Sequence, residues 1–208
     1  ETLSSTRDTL DFLMNFEELD YFSYYPCSLL VNTKMDSASY KEQYGIISRK
    51  NKVFMTRKHK AMLDERDEED EIVIGTKTMP VAEWKEAFLL AYAATFLYNH
   101  RTIYFLLKYL NRTHGVRPLE FIEFLLKHKG SPELTLLSRI FAIIKTQARS
   151  VVNGNGVTST LAECEGVQLT CHETALVLTL VYPDKFYDEI ERVTERFLSV
   201  QGIQIAAA

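Results

Sequence analysis

The chain has 208 residues, 46% of them hydrophobic and 25% charged, and its formal net charge is −4. This length suffices for one large domain or two small ones, and the composition is that of an ordinary soluble globular protein. The acidic balance argues against a general nucleic-acid binder, because such proteins carry a basic excess.

The three cysteines, Cys27, Cys164 and Cys171, are odd in number and far apart. They form no disulfide framework and no C-x-x-C pair, so we expect no zinc or iron–sulfur site built from this chain alone. Free thiols suit a reducing cytosol, and the sequence therefore predicts a cytoplasmic protein. The best candidate for a membrane span, residues 87–98, is shorter than the roughly 20 apolar residues that a spanning helix needs. We interpret it as a buried helix.

The chain opens on Glu1 without an initiator Met, as if at the end of a loop that runs into a helix. We therefore expect that a preceding N-terminal portion of the same protein is missing. Apolar residues at helical spacing predict a helix over residues 4–16. The aromatic stretch Tyr21–Val31 predicts a strand, with Pro26 at a bulge or an edge position. One helix followed by one strand is half of an α/β repeat.

The next segment is strongly charged. A short helix is predicted at Ser37–Tyr44, closed by Gly45. Arg49–Lys60 is basic and Asp64–Glu71 is acidic. We interpret these as two solvated segments that partly neutralise each other. The alternative is a phosphate or anion site in the basic half, which the neighbouring acids disfavour.

The remainder predicts mainly helices. A short strand, Glu71–Thr76, comes first, and the helix after it is apolar nearly all round in its first half, which places it in a core. Thr170 and Glu173 have the spacing of a capping box that begins a later helix. The predicted helices are Glu83 to about Asn111, Pro118 to about Lys129, Ser131 to about Ser150, one beginning at Thr170, and one ending near Val200.

Several sequence pieces resemble the radical S-adenosylmethionine (radical SAM) enzymes. Glu1-Thr2 and the following helix are similar to the family's P-G-E-T turn, and Ser28–Met35 with Tyr40 and Tyr44-Gly45 looks like its L-L-P-N-T-x-M … Y … Y-G segment. The helical part resembles the C-terminal extension of members that carry an N-terminal cobalamin-binding domain. The pieces that carry this are Ile72–Met79 before Trp84, Tyr109-Leu110 with Thr113–Val116, and His172–Ala175 before Phe186-Tyr187. Val31 departs from the family, which often has Pro there.

The resemblance implies a fold class: an α/β remnant of a radical SAM partial TIM barrel, followed by a mainly α-helical C-terminal domain. It implies that residues 1–35 are the last helix–strand portion of the barrel. Residues 36–76 would be an irregular charged linker with a short strand, residues 77–200 the helical domain, and residues 201–208 a tail.

The resemblance also implies a chemistry. Radical SAM enzymes bind a [4Fe–4S] cluster through C-x-x-x-C-x-x-C and cleave S-adenosylmethionine to a 5′-deoxyadenosyl radical. Cobalamin-binding members often use methylcobalamin to methylate unactivated carbons. This chain lacks the cysteine motif. As a fragment it is therefore expected to bind none of these cofactors alone and to be inactive, while the parent enzyme acts on a small-molecule or peptide substrate that the sequence does not identify.

In the family, the turn at Glu1-Thr2 and the strand end from Leu30 to Asn32 lie near the S-adenosylmethionine pocket. The resemblance thus implies four cofactor-binding residues: Glu1, Thr2, Leu30 and Asn32. The Glu1 carboxylate would accept from the cofactor's amino group, although an acidic residue here also suits a helix N-terminus. The Asn32 amide would bond adenine or ribose, although it also suits a turn.

No catalytic residue and no metal ligand is identified. His100 and His172 are interpreted as a polar helical residue and a neighbour of a helix cap, rather than as a base or ligands, because no second histidine follows His172 at H-E-x-x-H spacing. A different class of function stays open: a non-catalytic helical protein-interaction module, which the aromatic-rich helical part and the lack of a catalytic constellation favour.

Overall fold

The computed structural model describes residues 1–16, 21–52 and 69–203. Within them the chain is mostly helical and carries a small antiparallel sheet. The elements are α1 (Leu3–Asn15), α2 (Ala38–Tyr44), β1 (Ile47–Lys52), β2 (Glu69–Gly75), α3 (Val81–Ala94), α4 (Tyr104–His114), α5 (Pro118–His128), α6 (Thr135–Val152), α7 (Cys171–Val181) and α8 (Pro183–Gln201). One continuous cluster of buried apolar side chains runs from α1 to α8.

The helix predicted at residues 4–16 is confirmed as α1. Thr2 begins it: its hydroxyl accepts from the backbone N–H of Ser5 at 3.0 Å, and the Ser5 hydroxyl accepts from the Thr2 N–H at 2.8 Å. This reciprocal cap satisfies donors that a helix start otherwise leaves unpaired. Leu10 and Met14 are buried on one face of α1, so the helix is held mainly by packing.

The strand predicted at Tyr21–Val31 pairs with a neighbour only over a short part of its length. The Leu29 N–H donates to the Glu71 carbonyl at 2.7 Å, and the Val73 N–H donates to the Cys27 carbonyl at 2.8 Å. The strand prediction is therefore too long. Residues 27–29 form the antiparallel neighbour of β2, on the edge opposite β1.

The structure contains a strand, β1, that the sequence analysis does not predict, because its residues are mostly polar. It pairs with β2, and Lys50 lies 3.7 Å from the Glu69 carboxylate. The mutual neutralisation expected of the two charged segments is thus present where they are described; residues 53–68 of those segments lie outside the described part. Asn51 is fully buried and anchors β1 by donating to the Val151 carbonyl at 3.1 Å.

The long helix predicted from Glu83 to Asn111 is wrong, because the chain breaks it into α3 and α4. Residues Thr95–Asn99 form one wider π-helical turn, in which the His100 N–H donates to the Thr95 carbonyl at 3.2 Å. Arg101 then adopts a positive φ of 58°, which no right-handed helix can continue. The predicted core position of the first half is confirmed, since most of α3 is buried.

The later helices agree with their predictions except at the start of α6, which begins at Thr135 and not at Ser131. Gly45 and Gly115 end α2 and α4 in the left-handed conformation that favours glycine. The predicted box at the start of α7 is present: the Thr170 N–H donates to the Glu173 carboxylate at 3.0 Å. The division into domains stays a prediction.

A buried carboxylate, which the sequence analysis does not single out, begins α6. Glu189 on α8 is almost fully buried and accepts from the N–H groups of Leu136 and Leu137 at 2.9 and 2.8 Å. A negative charge at a helix N-terminus is stabilised by the helix dipole and by the free N–H groups there. This contact locks α8 against α6.

Candidate functional site

The structure gathers two histidines and two tyrosines from four separate parts of the chain. Tyr24 meets Tyr92 edge-on with ring centroids 5.6 Å apart, and Tyr92 lies 5.4 Å from His172. His172 stacks on His100 with centroids 5.2 Å apart and an angle of 18° between the rings. We call Tyr24, Tyr92, His100 and His172 the histidine–tyrosine cluster.

The local backbone explains how these side chains meet. Tyr92 lies on the last turns of α3, and His100 follows the π-helical turn that ends it. Single π-turns within helices are frequent at functional sites. His172 is the second residue of α7. Tyr24 is held by the neighbouring Phe22, whose backbone carbonyl accepts from the Asn99 side-chain amide.

Both histidines have a ring nitrogen that is buried and has no hydrogen-bond partner among the described residues: Nε2 of His100 and Nδ1 of His172. The other nitrogen of His172 lies 3.3 Å from the Thr170 hydroxyl. Leaving a buried polar atom unpaired costs about 1–3 kcal/mol. These two nitrogens are therefore the polar atoms in the cluster that a bound group would satisfy.

The electrostatics keep the cluster uncharged near neutral pH. Burial, with a contribution from the neighbouring His100, lowers the pKa of His172 to about 4, and burial also lowers the pKa of His100. Burial raises the pKa of Tyr24 to about 12, with a contribution from the Glu1 carboxylate, and burial raises the pKa of Tyr92. Neutral imidazoles and phenols can donate and accept hydrogen bonds without placing a charge in an apolar setting.

The four residues predicted to bind a cofactor lie at two places. Glu1 and Thr2 precede α1, and the Thr78 hydroxyl donates to the Glu1 carbonyl at 2.8 Å. Leu30 and Asn32 lie in the turn after residues 27–29, both exposed, and Asn32 has a positive φ of 63°. Their role in binding stays a prediction.

Glu1 connects the first of these places with the histidine–tyrosine cluster. Its carboxylate helps to raise the pKa values of both Tyr24 and the Cys27 thiol, which places the three groups within electrostatic reach. The Glu1 side chain is exposed, and its contact with the Thr6 hydroxyl is long at 3.4 Å. Thr2, in contrast, has its hydroxyl engaged in capping α1. Of the two predicted residues that precede α1, Glu1 is therefore the one whose side-chain oxygens are more available.

Sequence reasoning missed Tyr24 and Tyr92 and interpreted both histidines as structural. His100 and His172 are 72 positions apart and lie in no spacing pattern of ligands or bases. Only the fold brings them together. Arg101, beside His100, has a positive φ, a conformation that clusters at functional sites. The sequence does not reveal it, because the position is not a glycine.

The three cysteines do not fit an iron–sulfur cluster. Cys27 is exposed, Cys164 is half-buried and Cys171 is buried, and Cys27 lies near the sulfur of Met35 at 3.7 Å. In the described residues no group of three or more His, Cys, Asp or Glu side chains is placed to hold a metal ion. Among the same residues, no helix combines the length and the apolar character that crossing a membrane requires.

Comparisons with known proteins give one informative relative. No family model matches the sequence. Over 137 residues the chain is 28% identical to the cobalamin-dependent radical SAM methyltransferase TokK of Streptomyces tokunonensis. The match covers 65% of this chain and 20% of TokK, so the chain spans about a fifth of the length of that relative. The chain is therefore distantly similar to a cobalamin-dependent radical SAM methyltransferase.

Proposed function

We propose that this chain is the C-terminal part of a radical SAM enzyme that depends on cobalamin. The observation that carries the proposal is the similarity to TokK over 137 residues. The sequence pieces at Glu1-Thr2 and from Leu30 to Asn32 also support it, because they resemble segments that lie near S-adenosylmethionine in that family. In this proposal the parent enzyme methylates an unactivated carbon of a small-molecule or peptide substrate in the cytoplasm.

In this proposal the [4Fe–4S] cluster and the cobalamin are bound by residues of the parent enzyme other than these 208. The cysteines of this chain do not gather around one point, so no step of the reaction is assigned to a cluster held here. By itself the chain would be inactive. Its contribution would be to close one side of the S-adenosylmethionine pocket and to shape the substrate site.

Glu1, Leu30 and Asn32 would serve S-adenosylmethionine, which supplies the radical precursor when bound. The exposed Glu1 carboxylate would accept from the ammonium group of its methionine part, a charge-assisted hydrogen bond. The exposed Leu30 side chain would lie against an apolar face of the cofactor, and the Asn32 amide would bond a polar edge. Thr2 would contribute by holding the start of α1, since its hydroxyl caps that helix.

Exposed apolar residues support a surface that the parent protein covers. Tyr25 is 78% exposed, Leu30 64% and Val31 79%, all within a short stretch next to the sheet. Scattered apolar residues on a surface are ordinary, but a concentration of them is typical of an interface. The same observation fits the alternative function, a helical protein-interaction module, and the experiment must separate the two.

The first test is the coding sequence upstream of Glu1. An in-frame extension that reads P-G before Glu1 and contains C-x-x-x-C-x-x-C farther upstream would support the enzyme. A stop codon at that edge would reject it and favour the interaction module.

The second test is biochemical. The full natural protein, reconstituted with iron, sulfide and cobalamin, is expected to convert S-adenosylmethionine to 5′-deoxyadenosine under reducing conditions. Glu1→Gln is expected to weaken S-adenosylmethionine binding about tenfold. Asp8→Asn, which removes an exposed carboxylate from α1, the helix that follows Glu1, serves as the matched control and should leave binding unchanged. Equal binding by both variants would remove Glu1 from the pocket while leaving the enzyme class standing.

A further inference from the structure

A concave surface, built by α3, α5 and α6, concentrates positive charge. It is a cavity of about 440 Å³. Its lining residues are Ala82, Lys85, Glu86, Leu89, Lys129, Lys145 and Arg149. Four cations therefore face one carboxylate, in a chain whose net charge is −4. We call this the cationic cavity.

The helices align these cations. Lys145 and Arg149 are one turn apart on α6, so both project from the same face. Lys85 lies on α3, which packs against α6, and Lys129 is the C-terminal cap of α5. Like charges four residues apart destabilise a helix slightly. The arrangement therefore has a small cost in the protein alone.

None of the four cations forms an ion pair with a carboxylate among residues 1–16, 21–52 and 69–203. Elsewhere on α6 the outcome is different, because Arg139 pairs with Glu163 at 2.6 Å. Lys129 is half-buried, and both its burial and the charge of Lys145 lower its pKa. Two ammonium groups thus lie close enough to repel each other, and a bound anion would remove that repulsion.

An adjoining groove extends the cavity along a more apolar path. It has a volume of about 490 Å³ and shares Glu86 and Leu89 with the cationic cavity. Its charged side chains include Arg7 and Glu123, which neutralise each other at 2.8 Å. Its other lining residues are Leu3, Leu90 and Leu126. Free positive charge therefore lies at one end only, and apolar surface continues from it.

We propose that the cationic cavity binds the phosphate group of a small molecule whose apolar part lies along Leu89 toward the adjoining groove. Lys side chains bind phosphate as point charges, and Arg149 adds a planar donor that can form two hydrogen bonds to it. The concave shape and a volume within the usual range of small-molecule sites favour a small molecule over an acidic protein segment. Glu86, the one carboxylate in the lining, would repel a phosphate, so we place the phosphate on the side of Lys129 and Lys145. The proposal is independent of the radical SAM chemistry.

The test uses pyrophosphate as the probe on the full natural protein. Lysines are acylated with a trace of acetic anhydride in two parallel samples, one containing pyrophosphate and the other containing sodium chloride at equal ionic strength. The extent of acylation at each lysine is then measured by mass spectrometry. Pyrophosphate is expected to protect Lys129 and Lys145 several-fold and to leave Lys127 and Lys185, both exposed and outside the cavity, unchanged. Equal protection at all four lysines, or equal protection by chloride, would overturn the proposal, because screening alone would explain it.

Variants provide a second reading. Lys129→Gln and Lys145→Gln are each expected to weaken pyrophosphate binding about tenfold, while Lys127→Gln is expected to leave it unchanged. If a variant fails to fold, the labelling of the unaltered protein still decides the question. Protection by a poly-glutamate peptide with none by pyrophosphate would reject the small molecule in favour of an acidic protein partner.

Discussion

Acidification is expected to open the start of α7 through His172. Burial holds the pKa of this imidazole at about 4, whereas the same group in an opened chain has a pKa near 6.5. The folded state therefore keeps His172 neutral, and the opened state takes up a proton first as the pH falls. The contribution of the neutral His172 ring to the stability of the folded state is complete above pH 6.5 and is lost progressively as the pH falls from 6.5 to about 4.

The size of the effect follows from the two pKa values. Lowering the pH from 7 to 5 shifts the opening equilibrium toward the opened state by about 2 kcal/mol, roughly a 20-fold rise, and lowering it below 4 shifts it by about 3 kcal/mol. His100 acts in the same direction because burial lowers its pKa too, while Glu173 opposes the shift of both rings.

Two measurements check this. Exchange of the imidazole C2 hydrogen, followed by mass spectrometry across a pH series, gives the pKa of His172 directly. Amide hydrogen exchange of the first turn of α7, compared at pH 7 and pH 5, gives the opening equilibrium. His172→Phe keeps an aromatic ring beside Tyr92 and cannot titrate, so its exchange should depend less on pH. A His172 midpoint at or above 6.5, or a variant with unchanged pH dependence, would refute the reasoning.

Three further perturbations test other contacts. Glu189→Ala removes both acceptors and should lower the free energy of opening the first turn of α6 by about 3 kcal/mol, whereas Glu189→Gln, which keeps one acceptor oxygen, should lower it by about 1 kcal/mol. Amide exchange would distinguish them, and equal effects would contradict the charge argument. Asn99→Ala deletes both the donor to the Phe22 carbonyl and the acceptor of the Phe22 N–H, and should destabilise the attachment of that segment by about 1–3 kcal/mol, seen as faster amide exchange at Phe22; unchanged exchange there would show that the contact is dispensable. Glu1→Gln should lower the pKa of the Cys27 thiol and speed its alkylation by iodoacetamide about twofold at pH 8, and an unchanged rate would mean that the Glu1 charge does not act on this thiol.

Much of the helical part could be predicted from sequence because its signals are local. Gly45 and Gly115 fit the left-handed caps that they occupy, and Thr170 with Glu173 forms the cap that their spacing indicates. The break before α4 could not be predicted, since neither Gly nor Pro marks it and Arg101 carries the unusual φ.

The sheet and the site were harder to predict for the same reason: they depend on contacts between distant residues. β1 is mostly polar and is held by Asn51, whose partner Val151 lies 100 positions away. The histidine–tyrosine cluster likewise combines side chains that share no spacing. A single sequence shows the chemical types of such residues but not their meeting, because that meeting is decided by the packing of α3 against its neighbours.

The long-range contacts of the N-terminal third also determine when it can fold during synthesis. Phe22 is joined to Asn99 across 77 positions, and Asn51 is joined to Val151 across 100. A ribosome adds about 5–20 residues per second, so β1 must wait roughly 5–20 s for its anchor to be made. Until Asn99 has been made, the aromatic stretch after Tyr21 is exposed without this partner. A chaperone that acts on nascent chains could bind the aromatic stretch during this time, and slowing translation after residue 52 would lengthen the time for which the stretch is exposed.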